Sequence, residues 1–253
     1  MKSPVGFYPI GMTRQDAQYY LVTANYLLPK TERHTMKSNA ELQRDVQDAI
    51  KWQPLLNAAE IGVTAKDGIV SLTGVVDSYA KKTEAEDAVK NVAGVTALVE
   101  KIEVKYPSSY SKTNAEIATG VLAAFKASWD VPQDKVKVKV EAGWVTLTGD
   151  VSWYYQKEAA RDAIVSLMGV TGVTNNITIK SESMESVEKA GIENALKRNW
   201  AFYENDIQVK VSGHSATLTG TVDSMYQKNE AGSIAWNAPG VWSVNNELVV
   251  DWD

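Results

Sequence analysis

The chain has 253 residues, of which 44% are hydrophobic and 23% are charged, a composition typical of globular proteins and unlike that of disordered or fibrous chains. Its net charge of −5 argues against a general nucleic-acid-binding protein, which would need a basic surface. The lack of cysteine excludes disulfides, thiolate metal sites and cysteine nucleophiles.

Residues 1–37 have no counterpart later in the chain and are predicted to form a leader of uncertain order. The leader does not show the basic start, apolar run and cleavage site of a secretory signal, so the chain as written is expected to be cytoplasmic. No stretch reaches the roughly 18 apolar residues of a membrane span. The first three residues recur as Met36-Lys37-Ser38. Two interpretations stay open: Met36 is an alternative start, or the leader is an anchor or docking arm.

Residues 38–106 are predicted to form a first compact module. Val46 and Ile50 lie on one face of an amphipathic helix. Two runs of alternating apolar residues then flank Asp67-Gly68, which is a strong signal for a β-hairpin. A second helix follows and ends at Gly94, where a left-handed cap favours glycine, and a third strand completes the module. The predicted order is helix, strand, strand, helix, strand.

The same pattern returns in residues 113–180 and 185–253, with short polar linkers at residues 107–112 and 181–184. In each copy the glycine of the sequence Leu-Thr-Gly is followed 20 residues later by a second glycine. The strand, helix, strand segment is expected to cross over with the right hand. The sequence therefore predicts an α+β fold of three tandem α-β-β-α-β modules, each a mixed three-stranded sheet with two helices on one face.

Two sets of residues are predicted to have structural roles. Asp77 and Asp223 follow the Leu-Thr-Gly sequence and fit the N-cap of the second helix, because a short polar side chain accepts bonds from the free amides there. Trp129 and Trp200 hold matching places at the end of the first helix, which favours a packing role for both.

No group of residues suggests catalysis. The only histidines are His34, in the leader, and His214, which occupies a turn position filled by glycine in the other modules and is interpreted as a solvated turn residue. A phosphate-binding loop is absent, and one carboxylate per module does not supply the converging ligands of a metal site. We therefore predict no enzyme activity, no cofactor and no metal.

The middle module differs from the others in its basic and aromatic residues. Its lysines alternate with valines along one predicted strand, so they must share one face. Cations attract anionic headgroups, and aromatic rings settle at headgroup level, which makes this module the candidate for touching a membrane surface. The alternative is that the lysines protect a sheet edge from aggregation and the aromatics pack between modules. The candidate lipid-surface contacts are Lys135, Lys137, Lys139, Trp153, Tyr154, Tyr155 and Lys157. Lys157 shares its place in the repeat with Lys82 and Lys228, for which an anionic contact and a solvated helix face are both open.

The hairpin ending in Leu-Thr-Gly, the helix after it and the Gly-Val pairs at Gly94-Val95, Gly169-Val170 and Gly240-Val241 closely resemble the BON domain. The tandem arrangement resembles the osmotically inducible OsmY family, although that family commonly has two copies rather than three and is exported.

The resemblance implies a non-enzymatic protein that associates with phospholipid or a membrane surface in the bacterial envelope or in the osmotic stress response. Its partners would be phospholipid headgroups or a membrane-associated protein. The alternative function is a soluble stress chaperone that shields unfolded client proteins, and the alternative location is the periplasm.

Overall fold

The computed structural model describes residues 37–180, 187–202 and 206–251. The predicted leader, apart from Lys37, and the predicted linker of residues 181–184 lie outside these described residues. The described residues form three modules in tandem, each with the predicted order of helices and strands.

The first two modules have matching elements. The first consists of α1 (Asn39–Lys51), β1 (Ile61–Lys66), β2 (Ile69–Val76), α2 (Tyr79–Lys90) and β3 (Ala97–Val104). The second consists of α3 (Asn114–Ala127), β4 (Val136–Glu141), β5 (Trp144–Val151), α4 (Tyr154–Val165) and β6 (Gly172–Ile179).

The third module has the same plan, but two of its strands are interrupted. Its elements are α5 (Lys189–Arg198), β7 (Gln208–Ser212), β8 (Ser215–Thr219), β9 (Thr221–Val222), α6 (Met225–Trp236), β10 (Ser243–Asn246) and β11 (Val249–Val250). β8 and β9 together correspond to β2 of the first module, and β10 and β11 correspond to β3.

Each sheet is mixed, because its middle strand pairs with the first strand antiparallel and with the last strand parallel. Side chains on the middle strand alternate in exposure: Val70 and Leu72 are fully buried, whereas Ile69 and Thr73 are exposed. Since both helices cover the face that carries the buried residues, the other face meets solvent. The predicted α+β modules are confirmed.

The glycine of each Leu-Thr-Gly sequence has a conformation that other residues avoid. The φ angles of Gly74, Gly149 and Gly220 are +145°, +139° and +126°. A Cβ atom on any of them would collide with a backbone carbonyl one or two residues before the first strand of the module. The recurring glycine therefore lets two backbone segments cross closely.

The second helices begin one residue later than predicted, so the proposed caps at Asp77 and Asp223 are wrong. Ser78 Oγ accepts a hydrogen bond from the backbone amide of Lys81 at 3.4 Å, and Ser224 caps α6 in the same way. Asp77 forms instead an ion pair with Lys81 at 2.9 Å. The shift follows from the start of α2 at Tyr79.

Each module contacts the next through the residue that lies five positions after its Leu-Thr-Gly glycine. Tyr79 is 9% exposed and belongs to the buried core of the second module. Tyr154 stacks on Trp236 of the third module, with ring centroids 5.7 Å apart and planes 8° apart. Met225 packs against the core of the first module. We call these three contacts the first, second and third seam.

Hydrogen bonds accompany two of the seams. At the first seam, Tyr106 Oη donates to the backbone carbonyl of Val170 at 2.9 Å. Burial raises the pKa of the Tyr106 hydroxyl, so it stays a donor at neutral pH. At the third seam, the amide of Gly94 donates to the carbonyl of Asp223 at 3.4 Å. At both seams the loop after the second helix of the receiving module takes part, through Val170 and Gly94.

Candidate functional site

The three lysines of the middle module lie where the sequence places them. Lys137 and Lys139 are exposed on the outer face of β4, and the exposed Lys135 immediately precedes that strand. β4 is an edge strand, because β5 is the middle strand of its sheet. Lys139 pairs with Glu141 at 2.9 Å, so part of the positive charge of the face is neutralised locally.

A carboxylate also lies close to this lysine face. Hydrogen bonds from Lys180 and Thr178 hold the pKa of Asp150 below its usual range, and the nearby charge of Lys137 acts in the same direction. The ion pair between Lys180 and Asp150 measures 2.7 Å. The face therefore carries mixed charge with a basic excess rather than an isolated stripe of lysines.

Two of the three predicted aromatic residues are exposed near the Lys135 end of the sheet, and the third packs against the next module. Val136 pairs with Gly149, so Lys135 lies at the end where β5 leads into Trp153 and α4. Trp153 and Tyr155 are exposed. Tyr154 occupies the second seam, and burial raises the pKa of its hydroxyl.

The recurring lysine of the second helix has a structural role in the first module. Lys82 Nζ lies 2.7 Å from a carboxylate oxygen of Glu100 and donates to the carbonyl of Ile102 at 3.1 Å. With 12% of its side chain exposed, Lys82 does not lie on a solvated helix face. Lys157 is partly exposed in the second module, where its backbone carbonyl accepts a bond from Asn175.

The predicted packing role of Trp129 and Trp200 is wrong, because these side chains are 91% and 83% exposed. In both modules another residue closes the core just after the tryptophan: Val131 in the second and Phe202 in the third, each 5% exposed. The tryptophans, which follow the last helical turn, therefore point into solvent. Trp52, at the end of α1, is 84% exposed as well.

A lysine lies close in sequence to each of these three tryptophans. Lys51, Lys126 and Lys197 hold one position in the repeat and lie in the last turn of the first helix of each module. All three are exposed, and none forms an ion pair with another residue that the structure describes. A lysine here also interacts favourably with the helix C-terminus. We call each lysine with its neighbouring tryptophan a Lys–Trp pair: Lys51 with Trp52, Lys126 with Trp129, and Lys197 with Trp200.

The Lys–Trp pairs were missed by sequence reasoning, although part of the signal was available. Aligning the modules on the Leu-Thr-Gly glycine places Lys51, Lys126 and Lys197 in one column. The alignment does not show, however, that the tryptophan side chains are exposed to solvent. A single exposed apolar side chain is ordinary, so it is the recurrence of an exposed tryptophan near a lysine in all three modules that makes these places candidate interaction sites.

His214 is not a solvated turn residue as expected. Its ring stacks on Trp242 with centroids 3.7 Å apart and planes 3° apart, and Nδ1 lies 2.7 Å from the carbonyl oxygen of Gly240. These partners hold the hairpin tip against the loop before β10. Within the described ranges no three His, Asp or Glu side chains converge on a point where they could bind a metal ion. Over those same ranges, no helix has the length and apolar character needed to cross a membrane.

Comparison with known proteins identifies the family. The profile of the BON domain matches residues 38–106, 113–181 and 189–251, which is most of the chain. The chain belongs to the BON domain family. The expected resemblance is thereby confirmed, and the Lys–Trp pairs are features of three tandem BON modules.

One similar protein is the osmotically-inducible protein Y of Escherichia coli (strain K12). It is 30% identical to this BON protein over 129 residues, which are 49% of this chain and 64% of that protein. The match therefore spans less than two thirds of the relative.

Two solved structures of CdsD, a structural protein of the type III secretion system of Chlamydia trachomatis, also match. The C-terminal domain is 15% identical and covers 85% of this chain and 100% of its own, with a TM-score of 0.23. The other is 14% identical and covers 81% of this chain and 90% of its own, also with a TM-score of 0.23.

Proposed function

We propose that this BON protein is a non-enzymatic interaction protein that associates with anionic phospholipid surfaces. The observation that carries the proposal is the exposed Lys–Trp pair at the end of the first helix of each module. Tryptophan is amphipathic and settles at the level of lipid headgroups. A lysine near an anionic membrane surface contributes about 1 kcal/mol of attraction. A lysine and a tryptophan within three positions of each other therefore bring both contributions to the same end of the helix.

The lysine face of the second module supplies a further proposed contact. Its three lysines follow the outer face of β4 from the end of the sheet where α4 begins, and Lys139 pairs with Glu141. We leave Tyr154 out of this contact because the second seam occupies its ring. The remaining residues of the proposed contact are Lys135, Lys137, Lys139, Trp153, Tyr155 and Lys157.

We propose a role in the osmotic stress response, which the similarity to the osmotically-inducible protein Y supports. The periplasm and the cytoplasm are both consistent with a peripheral membrane protein. Fractionation of cells that produce the full chain separates these two locations, because osmotic shock releases periplasmic proteins and retains cytoplasmic ones.

The test of the proposed function is flotation with vesicles made of equal amounts of phosphatidylcholine and phosphatidylglycerol in low salt. We expect the protein to float and the variant with Trp52, Trp129 and Trp200 all changed to alanine to stay in solution. The matched control changes the exposed sheet residues Lys66 and Lys101 to glutamate, which reverses charge away from the Lys–Trp pairs. Flotation of the triple variant at the wild-type level would exclude the pairs as the lipid contact.

A second variant tests the lysine face. Changing Lys135, Lys137 and Lys139 to glutamate is expected to weaken flotation, and raising the salt concentration is expected to weaken that of the wild-type protein too, because exposed charges are screened. Equal flotation of this variant and the wild type would remove the lysine face from the contact.

The exposed tryptophans also favour a second candidate function, that of a soluble chaperone for unfolded clients. An exposed indole binds apolar segments of an unfolded chain as readily as it binds a lipid interface. This function predicts that the protein slows aggregation of a model client in the absence of lipid, and that the triple tryptophan variant does not. Aggregation at the uninhibited rate under molar excess of the protein would exclude it.

A further inference from the structure

The second helices of the three modules meet one another. α2 contacts both α4 and α6, and Tyr154 at the start of α4 stacks on Trp236 at the end of α6. Three helices that touch in every pairwise combination surround a common axis. The sheets and first helices are then arranged around this centre.

The seams all run in one direction. The first module inserts Tyr79 into the second, the second stacks Tyr154 on the third, and the third packs Met225 against the first. The donor positions are equivalent in the repeat, and the last contact returns to the starting module. An interface between two unlike surfaces that repeats in one direction and returns to its start gives a closed ring.

Rotation about the axis of such a ring keeps every equivalent residue at the same height along that axis. Lys51, Lys126 and Lys197 are equivalent, as are Trp129 and Trp200, and Trp52 lies only two positions earlier in the repeat. We propose that the ring presents the three Lys–Trp pairs on one side, so that the protein docks on an anionic lipid surface as a trivalent unit. This inference rests on the proposed function, since it assigns the geometry of the same contact.

Trivalency matters because each pair alone binds weakly. When several binding points are held in one rigid unit, the second and third contacts form at a high effective concentration, which raises the overall affinity by about 10²-fold to 10⁴-fold. Three points also define a plane, so the ring fits a flat surface and not a single extended chain. The seams then control affinity although they do not touch lipid.

The test separates the seams from the pairs. Met225→Asp places a charge in the third seam and leaves all three Lys–Trp pairs intact, while Met225→Leu keeps the seam apolar. We expect Met225→Asp to lower the partition coefficient onto phosphatidylglycerol-containing vesicles about tenfold or more, since an opened ring loses avidity. Met225→Leu is expected to bind like the wild type. Wild-type binding by a Met225→Asp protein with an opened third seam, detected by increased protease cleavage between the modules, would overturn the trivalent geometry.

A second set of variants does not depend on opening a seam. Changing Trp52, Trp129 or Trp200 singly to alanine should lower the partition coefficient by a similar factor in each case, about tenfold for each tryptophan removed. If one tryptophan carries the whole effect and the other two carry none, docking is monovalent and the inference fails while the proposed function stands. If the triple variant binds like the wild type, the Lys–Trp pairs are not the lipid contact and the inference fails, whereas the proposed function fails only if the wild-type protein itself does not bind the vesicles.

Discussion

Tyr79→Ala is expected to uncouple the first module from the second. The ring of Tyr79 is 9% exposed and lies in the core of the second module although it belongs to α2 of the first. An aromatic side chain buries about 150–250 Å². At about 25 cal/mol per Å², removing most of that area corresponds to about 4 kcal/mol, which agrees with the 3–5 kcal/mol typical of removing a buried aromatic ring.

The assay is urea denaturation followed by far-UV circular dichroism. For the wild type we expect the first and second modules to unfold together, because the seam makes each module stabilise the other. In Tyr79→Ala a transition at lower urea concentration should separate from the rest. The total decrease in unfolding free energy should be about 4 kcal/mol, divided between the two modules.

Two control variants make the outcome decisive. Tyr110→Ala removes an exposed ring from the turn between the same modules and should leave the denaturation curve unchanged. Tyr79→Phe keeps the buried ring and should stay close to the wild type. If Tyr79→Ala unfolds with the wild-type midpoint and slope, the first seam does not couple the modules and the reasoning is refuted.

Three further features of the structure are tested by equilibrium unfolding of variants. Gly149→Ala should lower the free energy of unfolding by about 3 kcal/mol, because alanine is strained at φ +139° and its Cβ meets a backbone carbonyl. The control Gly120→Ala, where the new Cβ lies in open space within α3, should raise the free energy of unfolding by about 0.5–1 kcal/mol. Glu116→Ala should destabilise the protein at neutral pH. The hydrogen bond from the Thr113 backbone lowers the pKa of Glu116, so its contribution is present above the ordinary glutamate value of 4.5 and is lost as the pH falls through the lowered pKa. A stability gap that does not shrink as the pH is lowered below 4.5 would contradict this. Lys82→Met should lower the free energy of unfolding by about 1–3 kcal/mol, because it leaves Glu100 unpaired in a partly buried position. Adding Glu100→Leu to Lys82→Met should recover most of this stability. If the double variant recovers none of it, the ion pair is not the cause of the loss.

The repeated unit could be predicted from the sequence because its signals are local. Alternating apolar residues predict the strands, and a glycine with positive φ is hard to replace. Gly74 and Gly149 therefore stand out wherever the unit recurs. The sequence places the caps one residue too early since Asp77 and Ser78 are both good capping residues, and only the start of the helix decides between them.

The seams and the exposed tryptophans could not be predicted in the same way. The position five residues after the Leu-Thr-Gly glycine holds tyrosine in the first two modules and methionine in the third. A comparison of the modules therefore does not show that this side chain contacts the next module in all three. Whether Trp129 turns inward depends on competition with Val131 for one place in the core. Such competition is settled by three-dimensional packing, which periodicity does not report.

The direction of the seams sets an order for assembly during synthesis. The first module is made before the second, and Tyr79 can insert as soon as the second core exists. The third seam joins the third module to the first, so it closes only after the third module has been synthesised and released from the ribosome. Until then the site on the first module that receives Met225 stays open. A translation product that stops before the third module would keep this apolar site exposed, which is a physical difference that quality-control proteases can recognise between chains with and without the third module.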